Sequence, residues 1–383
     1  GGRGNVAAGF GGAAATVEAT YYVPVHTHSC LETHGVVAQW EGDQLTVYAS
    51  TQGVYSVREG LAEALEIDRK NVRVICEHMG GGFGSKLGPS ATGSAFAMVA
   101  CKLAKMAGAP VKLMLDRHQE QLCTGNAPSA RITVKIGAKK DGTLTAVEYT
   151  SYGSAGVAGG AGTAGPVNSL YANNPNLKVE EYTVFTNTGP SAPLRAPGHS
   201  QGAYAVESTM DELAEKLGMD PLELRKKNES SPVRAAQYGP GAKAIGWKGR
   251  NAKAGDAKGP KKRGIGMANG NWYVFVAPNV KAQVKIHRDG SVELLSGAQD
   301  IGTGFRTAIA VLAAEELGIA PTDITARVGD TQYPEGNASG GSITTNSVGP
   351  AVRLAAHGAK MKLFEVAAKA LEADAGELQS ENG

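Results

Sequence analysis

The residues of this 383-residue chain best placed to do chemistry lie in glycine clusters. Gly80-Gly81-Gly82-Phe83-Gly84-Ser85-Lys86 reads as a loop between a strand and a helix, where unpaired N–H groups and the helix dipole favour an anion. A nucleotide loop of the G-x-x-x-x-G-K-[ST] type is excluded, because Ser85 separates Gly84 from Lys86 and Leu87 carries no hydroxyl for magnesium. Two more clusters, Gly297 to Thr307 and Gly336 to Thr345, also run into helical patterns, the second rich in small hydroxyl side chains. Together they supply several amide-lined helix starts, which suits a large anionic ligand with many hydrogen-bonding groups.

Two other constellations carry different chemistry. Gly198-His199-Ser200-Gln201-Gly202 matches the G-x-S-x-G elbow of serine hydrolases. A strand must feed that elbow, and Pro193 and Pro197 stand where it would run, so hydrolysis at Ser200 is kept as an alternative function only. His26, His28 and His34 with Glu32 fit no compact zinc spacing, and no metal held directly by side chains is expected.

The elements that must position these residues alternate irregularly. Gln44 to Ser50 and Asn71 to Cys76 read as strands, Arg58 to Glu66 and Ala91 to Ala107 as helices. Arg131 to Ala138 and Thr143 to Tyr152 form a hairpin across Asp141-Gly142. Glu180 to Thr186 is a strand, Ala203 to Leu217 a helix, and Asp220-Pro221 opens another helix. Further on, Asn279 to His287 and Ser291 to Ser296 pair around Asp289-Gly290, Thr307 to Leu317 and Ser347 to Ala373 are helical, and Ile324 to Val328 is a strand. Without regular strand–helix alternation, the fold class is α+β. Residues 1–232 and 264–383 make two mixed domains, with 233–263, rich in Pro, Gly, Ala and Lys, as their connection.

Composition narrows the function. Lys and Arg number 38 against 36 Asp and Glu, with no basic stripe, so nucleic acid is not an expected partner; the run Lys258 to Arg263 is read as a solvated loop. No apolar run nears the ~18 residues of a membrane span. The four cysteines are scattered without a C-x-x-C pair, which excludes iron–sulfur and structural zinc frameworks built from this chain alone. The chain starts at Gly1 without methionine and reads as a segment of something longer.

In order along the chain, His28-Ser29-Cys30-Leu31-Glu32, Ala49-Ser50-Thr51-Gln52, Met79 to Lys86, Arg195 to Gln201, Asp300 to Gly304, Gly329-Asp330-Thr331 and Ser339 to Ser342 resemble the molybdenum-binding subunits of the xanthine dehydrogenase/aldehyde oxidase family. The resemblance, over about residues 20 to 360, implies two molybdenum-cofactor-binding domains of a molybdenum hydroxylase. Gln52 is then placed beside the metal, bonded to its oxo group, with Gly82, Phe83 and Gly84 bordering it. Arg195 and Ala196 lie near metal and substrate, Gly302 and Thr303 hold the pterin, and Gly340, Gly341, Ser342 and Thr344 bind its phosphate end. Molybdenum is held through molybdopterin, in the cytosine dinucleotide form; iron–sulfur clusters and FAD are implied on partner subunits.

Departures from the family pattern refine this. Thr303 stands where many relatives have glutamine. Leu87 and Thr163 stand where purine-specific members carry a glutamate and an arginine, so an aldehyde or aromatic N-heterocycle, with water as oxygen donor, is expected as substrate rather than xanthine. The stretch Leu194-Arg195-Ala196 lacks the cysteine of carbon monoxide dehydrogenases. No G-x-G-E motif, the family's site for the general base, occurs in residues 1–383, so these residues alone are expected to bind part of a cofactor without turnover. The resemblance allows a cytoplasmic location, or a periplasmic one driven by a partner's export signal. A cofactor-free scaffold or assembly protein is the non-enzymatic alternative.

Overall fold

The computed structural model describes residues 1–87, 93–251 and 259–381; the start of the helix expected from Ala91, and Lys258 with part of the expected connection, lie outside them. In chain order the strands are β1 (Gly2–Arg3), β2 (Ala15–Val23), β3 (Gly35–Glu41), β4 (Gln44–Ala49), β5 (Val72–Ile75), β6 (Val111–Met114), β7 (Ala130–Ala138), β8 (Leu144–Gly156), β9 (Leu177–Phe185), β10 (Gln283–Ile286), β11 (Val292–Ser296) and β12 (Ile324–Val328). The α-helices are α1 (Val6–Gly11), α2 (Val54–Leu65), α3 (Gly93–Ala107), α4 (Arg117–Cys123), α5 (Gly165–Ser169), α6 (His199–Leu217), α7 (Pro221–Asn228), α8 (Pro232–Ala244), α9 (Phe305–Leu317) and α10 (Thr344–Leu371). Mixed helices and sheets make this the α+β class expected.

These elements gather into two compact units that interleave along the chain. One comprises 1–26, 127–191 and 196–272; the other comprises 27–126, 192–195 and 273–383. The grouping differs from a division along the sequence, because residues 27–126 find their partners in the last third of the chain.

The first unit is built on a five-stranded sheet in the order β1-β9-β8-β7-β2, parallel only between β8 and β9. Alternation decides which face is buried: Ile132, Val134 and Ile136 of β7 are buried while Arg131 beside them is exposed. Against them pack Met210 and Leu213 of α6. Asp141-Gly142 turns the β7–β8 hairpin as expected, Asp141 accepting from Thr143 N. Within the stretch read as a connection, α8 forms. Ser231 caps it, Pro232 opens it, and Tyr238 is buried with Leu222 and Trp247. Its Gly239, Pro240 and Gly241 hid the helical pattern, since proline inside a helix is rare.

The second unit holds a four-stranded sheet, β5-β4-β3-β6, and a three-stranded one, β10-β11-β12. α2 and α3 cover the former, with Val57, Leu61 and Cys101 meeting Val47 and Val74. α9 and α10 cover the latter through Ile309, Ala313 and Val352. The two sheets join where β5 ends: Cys76 N donates to Gly329 O at 2.7 Å, Thr331 N to Val74 O at 3.1 Å, and Arg73 pairs with the buried Asp330 at 2.5 Å. Among the described residues no helix is long and apolar enough to cross a membrane.

Candidate functional site

Three loops of the second unit come together at the ends of these sheets, and Gln52, just past β4, joins the first of them to the third. It is 2% exposed, and its side-chain carbonyl accepts from Gly84 N at 2.8 Å and Lys86 N at 3.3 Å. Its amide donates to Ser339 O at 2.7 Å, while its main-chain carbonyl accepts from Ser339 N. The expectation that Gln52 bonds an oxo ligand thus meets an amide already engaged with the main chain of two loops.

The glycine loop around it admits little substitution. Gly84 has φ +116°, and a Cβ there would lie 1.9 Å from Pro193 O; a Cβ on Gly82 would meet the Gln52 carbonyl oxygen at 2.4 Å. Phe83, at φ +53°, presents a half-exposed ring, and its carbonyl accepts from Arg195 N at 2.7 Å. Such left-handed non-glycine residues are strained and persist where the surroundings over-determine them. Beneath the loop Lys86 is buried; its ammonium donates to Glu32 O at 2.8 Å and Ser50 Oγ at 2.7 Å and lies 3.6 Å from the Glu32 carboxylate. Burial lowers the Lys86 pKa from its ordinary value, and the charge of Glu32 opposes that shift. Glu32 also accepts from Gly80 N at 2.6 Å.

The second loop follows β11. Asp300 accepts from Gly302 N, Thr303 N and Arg306 N, so the first two amides are spent within the loop. Gly302, Thr303 and Gly304 are exposed there. Gln299, buried, donates to Ser339 Oγ at 2.7 Å and accepts from Val54 N at 3.3 Å, tying this loop to the third. In the third loop Thr344 Oγ1 donates to Ser339 Oγ at 2.9 Å, and Gly340 is packed against Leu87. Gly341 and Ser342, both at positive φ, lead into α10, which starts without a side-chain cap and so leaves first-turn N–H groups unclaimed by one. Asn337 Oδ1 is buried without a hydrogen-bond partner among the described residues. A groove of about 800 Å³ runs from Thr345 and Asn346 to Arg353 and His357, with Leu312 and Glu316 of α9 on its wall.

All the cofactor-site residues expected from the sequence except Ala196 fall in this unit; Ala196, at φ +57°, belongs to the first. The Arg195 side chain is exposed and makes no hydrogen bond or ion pair among the described residues. Ser200 sits in the first turn of α6, not after a strand, and its hydroxyl points to Gln201 Oε1 at 3.4 Å rather than to a histidine. Thr163 is buried, with its hydroxyl 2.6 Å from that of Tyr149. His28 Nε2 lies 2.7 Å from Pro193 O, and His34 faces Glu120. Sequence reasoning did not single out Gln299, Ser339 as a junction, or the Glu32–Lys86 pair. A buried glutamine flanked by small residues was the one available signal.

Residues 1–229 and 241–383 each match the molybdopterin cofactor-binding domain family. The aldehyde oxidoreductase molybdenum-binding subunit PaoC of Escherichia coli is 32% identical over 98% of this chain and 52% of its own length. The xanthine dehydrogenase molybdenum-binding subunit of Escherichia coli O157:H7 is 30% identical over 82% and 44%. Among solved structures, quinoline 2-oxidoreductase from Pseudomonas putida superposes with a TM-score of 0.84 at 23% identity, covering 100% of this chain and 53% of that one. Aldehyde oxidoreductase from Desulfovibrio gigas superposes with a TM-score of 0.77 at 25% identity, over 97% and 45%. The chain thus spans about half the length of the relatives it matches.

Proposed function

Because the chain belongs to the molybdopterin cofactor-binding domain family, we propose that it forms the cofactor cradle of a molybdenum hydroxylase oxidising aldehydes or aromatic N-heterocycles. Water is the oxygen donor in this reading, and electrons pass to iron–sulfur and FAD-bearing partner subunits. One observation carries it: loops 82–86, 299–304 and 336–344, far apart in sequence, are locked together by Gln52 and Gln299 around main chain left open to a ligand. The residues fit a phosphate-ended pterin, since nothing lies within 4 Å of where a Gly302 Cβ would stand, Gly341 is almost as open, and α10 begins uncapped.

When bound, the pterin-held molybdenum supplies two-electron redox chemistry. Around it the first-turn amides of α10 with Gly340, Gly341, Ser342 and Thr344 hold the phosphate, and the groove beyond Thr345 offers room for a cytosine dinucleotide tail. Gly302 and Thr303 contribute carbonyls and a hydroxyl to the pterin. Gly82, Phe83, Gly84 and Arg195 border the reacting region. Leu87 packs on Gly340 and Thr163 is bonded to Tyr149, so neither offers the polar contact a purine needs. That supports a less polar substrate. The compartment is cytoplasmic, or periplasmic if a partner carries the export signal.

The test uses the complete complex: molybdenum and pterin per chain, then turnover of an aromatic aldehyde, quinoline and xanthine. Turnover of the first two with little on xanthine is expected. Absence of pterin from active material, or preference for xanthine, would overturn this function.

A further inference from the structure

Under the glycine loop, in the second unit, the sequence places a histidine whose two ring nitrogens both face acceptors. His34 is 1% exposed, with Nδ1 at 3.0 and 2.9 Å from the two Glu120 carboxylate oxygens and Nε2 at 3.1 Å from Ser85 O. A carbonyl cannot donate, so Nε2 must carry a proton. At Nδ1 the choice is between imidazolium facing carboxylate and neutral imidazole facing carboxylic acid. A carboxylic acid donates from one oxygen, whereas here both oxygens stand equally near Nδ1 and one also accepts the main-chain N–H of His34 at 2.8 Å.

Charge balance favours the same state. Lys86 is paired with Glu32 and lowers the Glu120 pKa less than His34 does, so the direct partner of Glu120 is His34, and an uncompensated buried carboxylate is strongly disfavoured. Burial raises the Glu120 pKa, but the hydrogen bonds from His34 more than reverse this and hold it below its ordinary value. The other titratable groups near the pair are Cys123 on the same helix, Lys86, and Cys30 and Glu32 before β3; the Phe96 ring packs edge-on against the imidazole.

What this histidine holds gives it a role. The peptide plane between Ser85 and Lys86 is gripped on one side by His34, through Ser85 O, and on the other by Gln52, through Lys86 N. From Gln52 the same line of hydrogen bonds continues to Gly84 N and to Ser339 O. We propose that His34 is a doubly protonated positioning residue whose buried imidazolium, paired with Glu120, fixes the Ser85–Lys86 peptide and through Gln52 sets the spacing of the two loops that cradle the cofactor. The idea rests on the cofactor reading for its consequence, though not for its geometry. Loss of either ring proton removes a donor from an otherwise saturated line.

Neutron diffraction of the assembled complex should find deuterium on both His34 nitrogens and none on Glu120; a single ring deuteron, or one on the carboxyl, overturns the proposal. Hydrogen exchange read at 82–87 and 336–344 gives a second arm. The double variant His34→Gln/Glu120→Gln, which buries no lone charge, should fold and show lower protection of both segments than wild type, relative to the β7–β8 hairpin; protection equal to wild type would refute the role. Pterin content of the wild-type complex decides the cofactor reading separately. Pterin with a singly protonated His34 sinks only this proposal, and a doubly protonated His34 without pterin sinks only the function.

Discussion

At residue scale, the chemistry of a side chain is set by what it is already bonded to, and Gln52 is the sharpest case. From the sequence alone it was a glutamine after a strand, legible as important only through its Thr51-Gln52 context, and its partner Ser339 lies 287 positions away. No periodicity encodes such a pairing. The structure gives the residue a measurable cost: Gln52→Ala leaves Gly84 N and Ser339 O buried without partners, and at roughly 1–3 kcal/mol for each unmet group denaturant unfolding should show a loss of about 2–6 kcal/mol. A variant as stable as wild type would mean those loops are held by something else. The glycines were easier to read, because their type alone announces close approach. Gly84→Ala should be at least as damaging, since the new methyl group collides with Pro193 O and meets an unfavourable φ, and a purified variant keeping full pterin content would contradict that geometry.

At the scale of elements, local signals located most helices and strands, and they failed where packing overrode composition. The β7–β8 hairpin was legible because Asp141-Gly142 is turn chemistry; α8 was not, because its stability comes from burying Tyr238 against Leu222 and Trp247. Equally hidden was the brace between α6 and α7, where Arg225, fully buried, donates to Glu207 and Asp211, and Glu207 also accepts from Asn269 N and Tyr171 OH. Removing one partner of a buried pair costs about 3–5 kcal/mol, so Arg225→Ala should unfold the first unit at markedly lower denaturant. A change near that of a surface substitution would show the brace to be dispensable. α9 and α10 are latched by Glu316, which accepts from Lys360, His357 and Arg353; these contacts, against a smaller opposing effect of burial, hold its pKa down at about 2. A depressed carboxylate stabilises fully above its ordinary pKa and loses that contribution as pH falls toward the folded value. Acid titration should therefore weaken the wild type between about pH 4.5 and 2. Glu316→Gln should lack that component, and identical acid profiles would count against the latch.

For the molecule as a whole, the α+β class and the presence of two mixed halves followed from the order of elements, while their interleaving did not. It depends on pairings such as Arg73 with Asp330, separated by 257 positions, which only the folded sheets bring about. A fragment of residues 1–232 should accordingly leave 27–126 far more open to limited proteolysis than in the 1–383 chain, because the strand-end partners at 329–331 and Ser339 are missing. Equal protection would show that the first hundred residues of that unit stand by themselves. The same interleaving fixes a chronology. Synthesis runs at roughly 5–20 residues per second, so Gln52 leaves the ribosome about 15–60 s before Ser339, the residue that closes its grip. During that interval the glycine loop has no counterpart, and a phosphate-bearing guest arriving early would meet only one jaw of the clamp. In the proposed reading, the cradle is therefore complete only once residues 336–344 have been made.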